Sequence, residues 1–489
     1  MHLKTALEKV GPLKISNGKE GGKATRYSNK ELVPVPVSDR TYGWNTFFGY
    51  WVVTGVNASA WSLGSANMAN GLSPSEVIGA VLIGAFCSGL VAFLCGEPGI
   101  QYHLGFPMVS RATFGIYGSY FVVALKVFVN FIFFGVQAFW GGQAVRVCLG
   151  ALSPQFLYLK NTLPESALLE TADLVGLIVY LCVFFPLLLF RPPKLTGLII
   201  TSFVIVSATI FGILIYALRT NGGTGNLFRS PSAQMTSTEK TFKMLQCISA
   251  VCGSWIGNCI RQSDWTRFAS GKRSAVSSQL FAAPVTITLT ALIGIVVTSA
   301  TSEIIGKKVW QPILLLTYVQ KHDYSTAIRA GTFFAGLGWF VSQLSINVIH
   351  NSVAAGMDLS AMIPEYINVR RGAILMAVIG IAINPWRFVN APGIFITVLS
   401  SFGLFTAPAA GLLIVDFWIV RRKRWNVPDL FVGDEEGTYW YCKGLNWRAF
   451  AAWTVATIPS LPGFVAKVNN SPINIHWTHI FQLTFVFGP

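Results

Sequence analysis

Acid is scarce in this chain: 20 Asp and Glu stand against 36 Lys and Arg in 489 residues, and charged residues make up 11% of the whole. A soluble globular domain carries about twice that charged share. Histidine is scarcer still, with six in all. There is no H-E-x-x-H and no G-x-S-x-G, so the usual hydrolytic and metal-dependent constellations are missing and no enzyme activity is expected. A phosphate-cradling glycine loop with its lysine is missing too, which leaves no sign of ATP-driven chemistry. The eight cysteines show neither zinc-like nor redox spacing and read as small apolar residues. The first 44 residues are polar and basic and lack the apolar core of a cleavable leader. No cofactor is implied by any of these.

Apolar sequence takes the place of charge. Hydrophobic residues are 53% of the chain and mean hydropathy is +0.55, which marks an all-α polytopic membrane protein with the bilayer as its solvent. Apolar stretches long enough to cross a bilayer are expected at 47–69, 77–95, 119–147, 173–190, 198–218, 243–260, 280–300, 330–355, 373–386, 393–420 and 447–466. A twelfth begins near Thr478 and is too short to span, so the plan is about eleven complete helices and a fragment. Residues 1–44 form a tail and 45–489 the transmembrane domain; Leu32 to Trp44, with two prolines, is expected to be an ordered, extended approach. The formal charge of +16 is scattered among loops and does not call for nucleic acid. With the N-terminus in the cytoplasm, inside segments hold about 23 Lys and Arg and outside segments about 11, the asymmetry that orients membrane proteins.

Three polar strings interrupt the apolar runs: FFGVQ (Phe133 to Gln137), WIGNCIRQSDWTRF (Trp255 to Phe268) and NVIHNSVAAGMD (Asn347 to Asp358). Polar groups kept in hydrocarbon face a cavity or a partner helix, because no water is there to satisfy them. Phe133 and Gln137 lie one turn apart on one face, so a ring that stacks stands beside an amide that pairs with a heterocycle's edge. Asn347 and Asn351 repeat the spacing. Taken singly, such amides also serve as glue between helices. The first stretch, TGVNASAWSLGSANMANG, is rich in Gly, Ser and Asn and is expected to be partly unwound. The sixth, with two glycines around Trp255 in CGSWIGNC, has the same character. Broken helices five apart are what a five-plus-five inverted repeat places at a midplane site. Asp264 and Arg267, three apart after the sixth stretch, are candidates for a gate or for a plain helix-end cap. His103 and His350, near the pathway, read first as packing or interfacial residues.

The strings YHLGFPMVSRATFGIYGS, FFGVQAFWGGQ, QSDWTRF, SINVIHNSVAAGMDLSAMIPEYINVRRG and INPWRF resemble the nucleobase:cation symporter-1 family, in particular its fungal purine, pyrimidine and allantoin permeases. Other stretches, RAGTFFAGLGWFVSQLS and KGLNWRAFAAWTVATIPSLPGFVAKVNN, resemble fungal thiamine and nicotinamide riboside carriers. The resemblance runs from about Leu32 to Asn470. It implies a LeuT-like fold of twelve helices, ten of them in two inverted five-helix repeats around a central site, and secondary active uptake of a small heterocycle at the plasma membrane. Carried over by position, the solute site is formed by Phe133, Gln137, Trp255 and Asn351, with Asn347 close by. Phe133 stands where nucleobase permeases have Trp. Arg261 stands where they have Asn; it either faces the cavity or snorkels to the cytoplasmic interface. At the position of a sodium-coordinating hydroxyl pair the chain has Ser345 followed by Ile346, which favours a proton as coupling ion. The expected cargo is uracil, allantoin, a purine or a nucleoside. Thiamine or nicotinamide riboside is the alternative, and a membrane sensor or scaffold the reading outside transport.

Overall fold

A computed structural model describes Tyr27 and residues 32–190, 196–228 and 235–487, so most of the expected tail lies outside the described residues. From Leu32 the chain is ordered, as expected: Leu32 and Val35 are buried, and the Val35 N–H donates to the His103 carbonyl at 3.0 Å. Among the described residues the regular structure is helical throughout.

The first apolar stretch is two twelve-residue helices, α1 (Trp44–Gly55) and α2 (Ala58–Ala69). A single side chain holds the break between them. Asn57 sits in extended backbone and its Oδ1 accepts the Ala60 N–H at 3.0 Å, capping α2, while its Nδ2 donates back to the Thr54 carbonyl at the end of α1. Freed backbone groups inside a membrane protein need such partners. Gly55 is required here by proximity, since a Cβ on it would meet Thr286 Oγ1 at 2.3 Å.

Thereafter come α3 (Pro74–Tyr102), α4 (Phe106–Phe114), α5 (Ser119–Leu152), α6 (Thr171–Leu187), α7 (Thr196–Asn221), α8 (Ser237–Ile260), α9 (Lys272–Ile305) and α10 (Pro312–His322). They are followed by α11 (Thr326–Met362), α12 (Val369–Ala382), α13 (Pro392–Val420), α14 (Trp447–Val468) and α15 (Ile475–Gln482). Seven helices among the described residues, α3, α5, α7, α9, α11, α13 and α14, are long and apolar enough to cross a bilayer by length and composition. That is fewer than the eleven spans expected. The first stretch is split, α6 and α12 are short, and α8 starts in polar sequence. The stretch expected as a twelfth span is α15, which packs back on α14 with Phe464 and Phe481 at 5.7 Å between ring centroids.

The expected break in the sixth stretch is absent. Helix α8 runs uninterrupted through Trp255 to Ile260, and the chain turns only at Arg261 and Gln262 before the single helical turn Ser263–Thr266. Its glycine has another use: a Cβ on Gly253 would lie 2.0 Å from the Leu399 carbonyl, so α13 presses directly on the α8 backbone.

The two halves interlock. The pair α1 and α2 packs on α9, α8 packs on α3, and α5 packs on α11, so the first helix of each half lies on the second of the other and the third helices meet. Each half also carries a short helix between its second and third spans, α4 and α10, and both begin with a proline in the first turn, Pro107 and Pro312.

Candidate solute-binding site

Where α1 breaks, a cavity opens between α1, α2, α5, α8 and α11, lined on those helices by Thr54, Asn57, Ser59, Asn130, Phe133, Gln137, Ser254, Trp255, Asn258, His350 and Asn351, with small and aliphatic residues between. It is narrow, about 50 Å³, room for a few waters. A flat ring therefore needs the walls to part. No carboxylate lines it. A larger groove of about 600 Å³ between α7, α10 and α11 has an apolar lining relieved only by the hydroxyls of Thr209, Tyr216 and Thr332, and offers little to read a polar solute.

Four of the five residues expected at the solute site come together on this cavity: Phe133, Gln137, Trp255 and Asn351. The Gln137 Nε2 donates to Ser59 Oγ at 2.8 Å, and its Oε1 is buried with no partner. An unmet buried carbonyl costs free energy until a donor arrives. Trp255 is held by its Nε1, which donates to the Thr54 carbonyl at 3.4 Å, at the helix break. Phe133 leans on Phe402 with ring centroids 4.9 Å apart. Asn351 donates through Nδ2 to Asn347 Oδ1 at 2.8 Å, which leaves its own Oδ1 for the cavity. Asn347 itself is behind the wall: its Nδ2 donates to the Phe134 carbonyl at 3.2 Å and to the Tyr180 hydroxyl at 3.0 Å. It positions Asn351 and does not line the cavity.

Both asparagines lie in a π-helical segment, Asn347–Val353, within α11. Such wide turns are found at functional sites, and the residues gave no sign of this one. Other lining groups that sequence reasoning passed over are Thr54, Asn57, Ser59, Asn130 and Asn258. Asn130 carried a usable signal, because it lies three residues before Phe133 and seven before Gln137 on one helical face. His350 also lines the cavity and packs against Tyr50 and Trp265, with ring centroids 5.6 and 6.5 Å away.

Arg261 does not snorkel. It is 2% exposed, and its Nη2 donates to Asn258 Oδ1 at 2.9 Å and to the His350 carbonyl at 3.1 Å, two lining residues. Asp264 accepts the Phe106 N–H at 2.7 Å, and it borders Gly105 together with Arg267, whose Nη1 would be 3.2 Å from a Cβ there. Those two therefore sit at the joint between α3 and α4, off the cavity. Ser345 is buried one position before Ile346, the residue that does line it. A further buried ion pair, which the sequence reading left without a role, joins Lys126 of α5 to Asp358 of α11.

With this geometry in view, the comparisons with known proteins are specific. A family described as permeases for cytosine/purines, uracil, thiamine and allantoin matches residues 34–487. The chain is 32% identical to nicotinamide riboside transporter 1 of Saccharomyces cerevisiae over 448 residues, 91% of this chain and 74% of that one. It is 33% identical to a thiamine transporter of the same yeast over 442 residues, 90% of this chain and 74% of the relative. Among solved structures it resembles Mhp1, a nucleobase-cation-symport-1 family transporter, in a closed conformation with bromovinylhydantoin bound. There the TM-score is 0.72 at 19% identity, covering 94% of this chain and 92% of that one. At that identity the likeness speaks for the fold alone, the LeuT-like inverted repeat that the sequence led us to expect.

Proposed function

As the chain belongs to the family of permeases for cytosine/purines, uracil, thiamine and allantoin, a family of multi-pass membrane transporters, we propose that it takes up a nucleobase or a related flat nitrogen heterocycle, driven by a proton gradient. The observation that carries this reading is Gln137: a buried amide with an unmet carbonyl, on the wall that also bears Phe133, Trp255 and Asn351. Phe133 and Trp255 sandwich the ring, each stack contributing about 1–3 kcal/mol by analogy with bases on aromatic side chains. The carbonyl oxygens of Gln137 and Asn351 accept ring N–H groups, and Asn258, whose own oxygen is taken by Arg261, offers its N–H₂ to a ring carbonyl.

Proton coupling is supported by the Lys126 and Asp358 pair, which links the two helices that carry Gln137 and Asn351. Protonating Asp358 would remove the attraction and leave Lys126 buried without its counter-charge, which weakens one tie between α5 and α11. Ile346 on the cavity wall offers a sodium ion nothing. The excess of Lys and Arg in the segments numbered inside supports a cytoplasmic N-terminus, and the plasma membrane is where uptake of this kind is useful.

Carriage of thiamine or nicotinamide riboside is the second reading, favoured by the identities of 32–33% to carriers so named. Uptake of radiolabelled uracil, uridine, allantoin and thiamine, with and without a protonophore, in cells lacking their own carriers separates the two. A neutral heterocycle is expected to accumulate, to stop with protonophore, and to be lost in Gln137→Ala and Asn351→Ala. Thiamine uptake alone, indifferent to Gln137→Ala, would establish the second reading instead.

A further inference from the structure

We propose that Arg261 sets the charge that the site accepts, admitting neutral or anionic rings and turning away ring cations. This rests on the reading of the cavity as a heterocycle site. The guanidinium is buried, bonded to two residues of the cavity wall, and its Nε is buried without a partner. Among the described residues it makes no ion pair. No carboxylate bonds to it: Asp358 pairs with Lys126, Asp264 accepts the Phe106 N–H, and the lining itself holds no acid. A cation with no carboxylate in contact, at the wall of a low-dielectric cavity that itself holds no acid, draws a carboxylate or carbonyl-rich ring toward it and repels a second cation.

The consequence runs against overall similarity. Thiamine carries a quaternary thiazolium and nicotinamide riboside a quaternary pyridinium, and both need an acid or an open aromatic face at the site. Here Trp255 and Phe133 supply faces, but a fixed positive charge stands behind the polar wall. Specificity of this kind comes from the repulsive element as much as from the attractive one.

A single ring in three charge states tests the idea: nicotinate, nicotinamide and 1-methylnicotinamide, methylated on the ring nitrogen, are an anion, a neutral molecule and a cation of nearly one shape. Binding to the purified full-length protein, followed by thermal shift, is expected to be weaker for the cation than for the other two by on the order of tenfold or more, as a unit charge within about 8 Å at an effective dielectric near 20 produces. Arg261→Gln is expected to abolish that ranking, and Arg261→Lys to retain it, which a merely structural role for Arg261 would not do. Preference of the wild type for the cation, or the same ranking in Arg261→Gln, overturns the proposal and leaves heterocycle transport standing. Should Arg261→Gln not fold, the wild-type ranking still decides. Binding of none of the three overturns the proposal, and uracil and allantoin in the same assay then decide whether the heterocycle reading stands without it.

Discussion

The two helices that open the halves of this fold, α1 with α2 on one side and α8 on the other, are related by the repeat and built differently. Both are rich in small residues. Only the first is broken, and what separates them is a capping side chain: Asn57 satisfies the Ala60 N–H on one side of the gap and the Thr54 carbonyl on the other. In α8 the polar residues beside Gly253 and Gly257 are engaged otherwise, Ser254 donating back to the Ala250 carbonyl and Asn258 accepting from Arg261, so neither caps a gap and the helix continues to Ile260. The lesson is that glycine and serine permit a break in a membrane helix, but a side chain able to replace the lost hydrogen bonds decides whether one occurs. The difference also divides the labour at the cavity. The broken side supplies backbone and small polar groups, and the unbroken side supplies a rigid platform for Trp255, whose indole N–H reaches across to Thr54.

That contrast is broken most severely at its meeting point. Trp255→Ala removes a stacking face and a donor to the gap together; uptake of the carried heterocycle is expected to fall by about tenfold to a hundredfold at equal surface expression, read as a rise in KM. Next comes Asn347→Ala, which leaves the cavity wall intact but unseats Asn351. A KM increase of about three- to tenfold is expected, smaller than for Asn351→Ala, and an equal or larger loss would place Asn347 on the solute itself. Asn57→Ala tests the cap: a loss of about 0.5–2 kcal/mol is expected, seen as a lower midpoint in thermal unfolding of the purified protein. Smallest of all is Gly257→Ala. Its Cβ would meet Val129 Cγ1 at an ordinary 3.6 Å, so in a continuous helix stability should be unchanged or rise by about 0.5–1 kcal/mol. A clear drop in the unfolding midpoint would mean that α8 is broken at this point after all.

The helical membrane class was legible in the apolar runs; Phe133, Gln137, Trp255 and Asn351 were named together because the family resemblance carries them over by position, and the fold brings all four to one cavity. Other features were hidden for physical reasons. The turn after α8 and the π-helical segment around Asn347 depend on how neighbouring helices press on the backbone, which no local pattern records. That same segment turns Asn347 toward Tyr180 and away from the cavity, so a one-turn spacing that argued for two lining amides delivers one. Arg261 was ambiguous for a related reason: its sequence neighbours suit either a helix end at the interface or a buried position. Only the wall formed by Asn258 and His350 settles that it is inside.

The most direct measurement is a structure of the protein with the heterocycle that it is shown to carry. The account predicts density for the ring between Phe133 and Trp255, with N–H groups of its edge on Gln137 and Asn351 and a widened gap beside Asn57. Density elsewhere, for instance in the apolar groove between α7, α10 and α11, with the cavity at the helix break still closed, would contradict it.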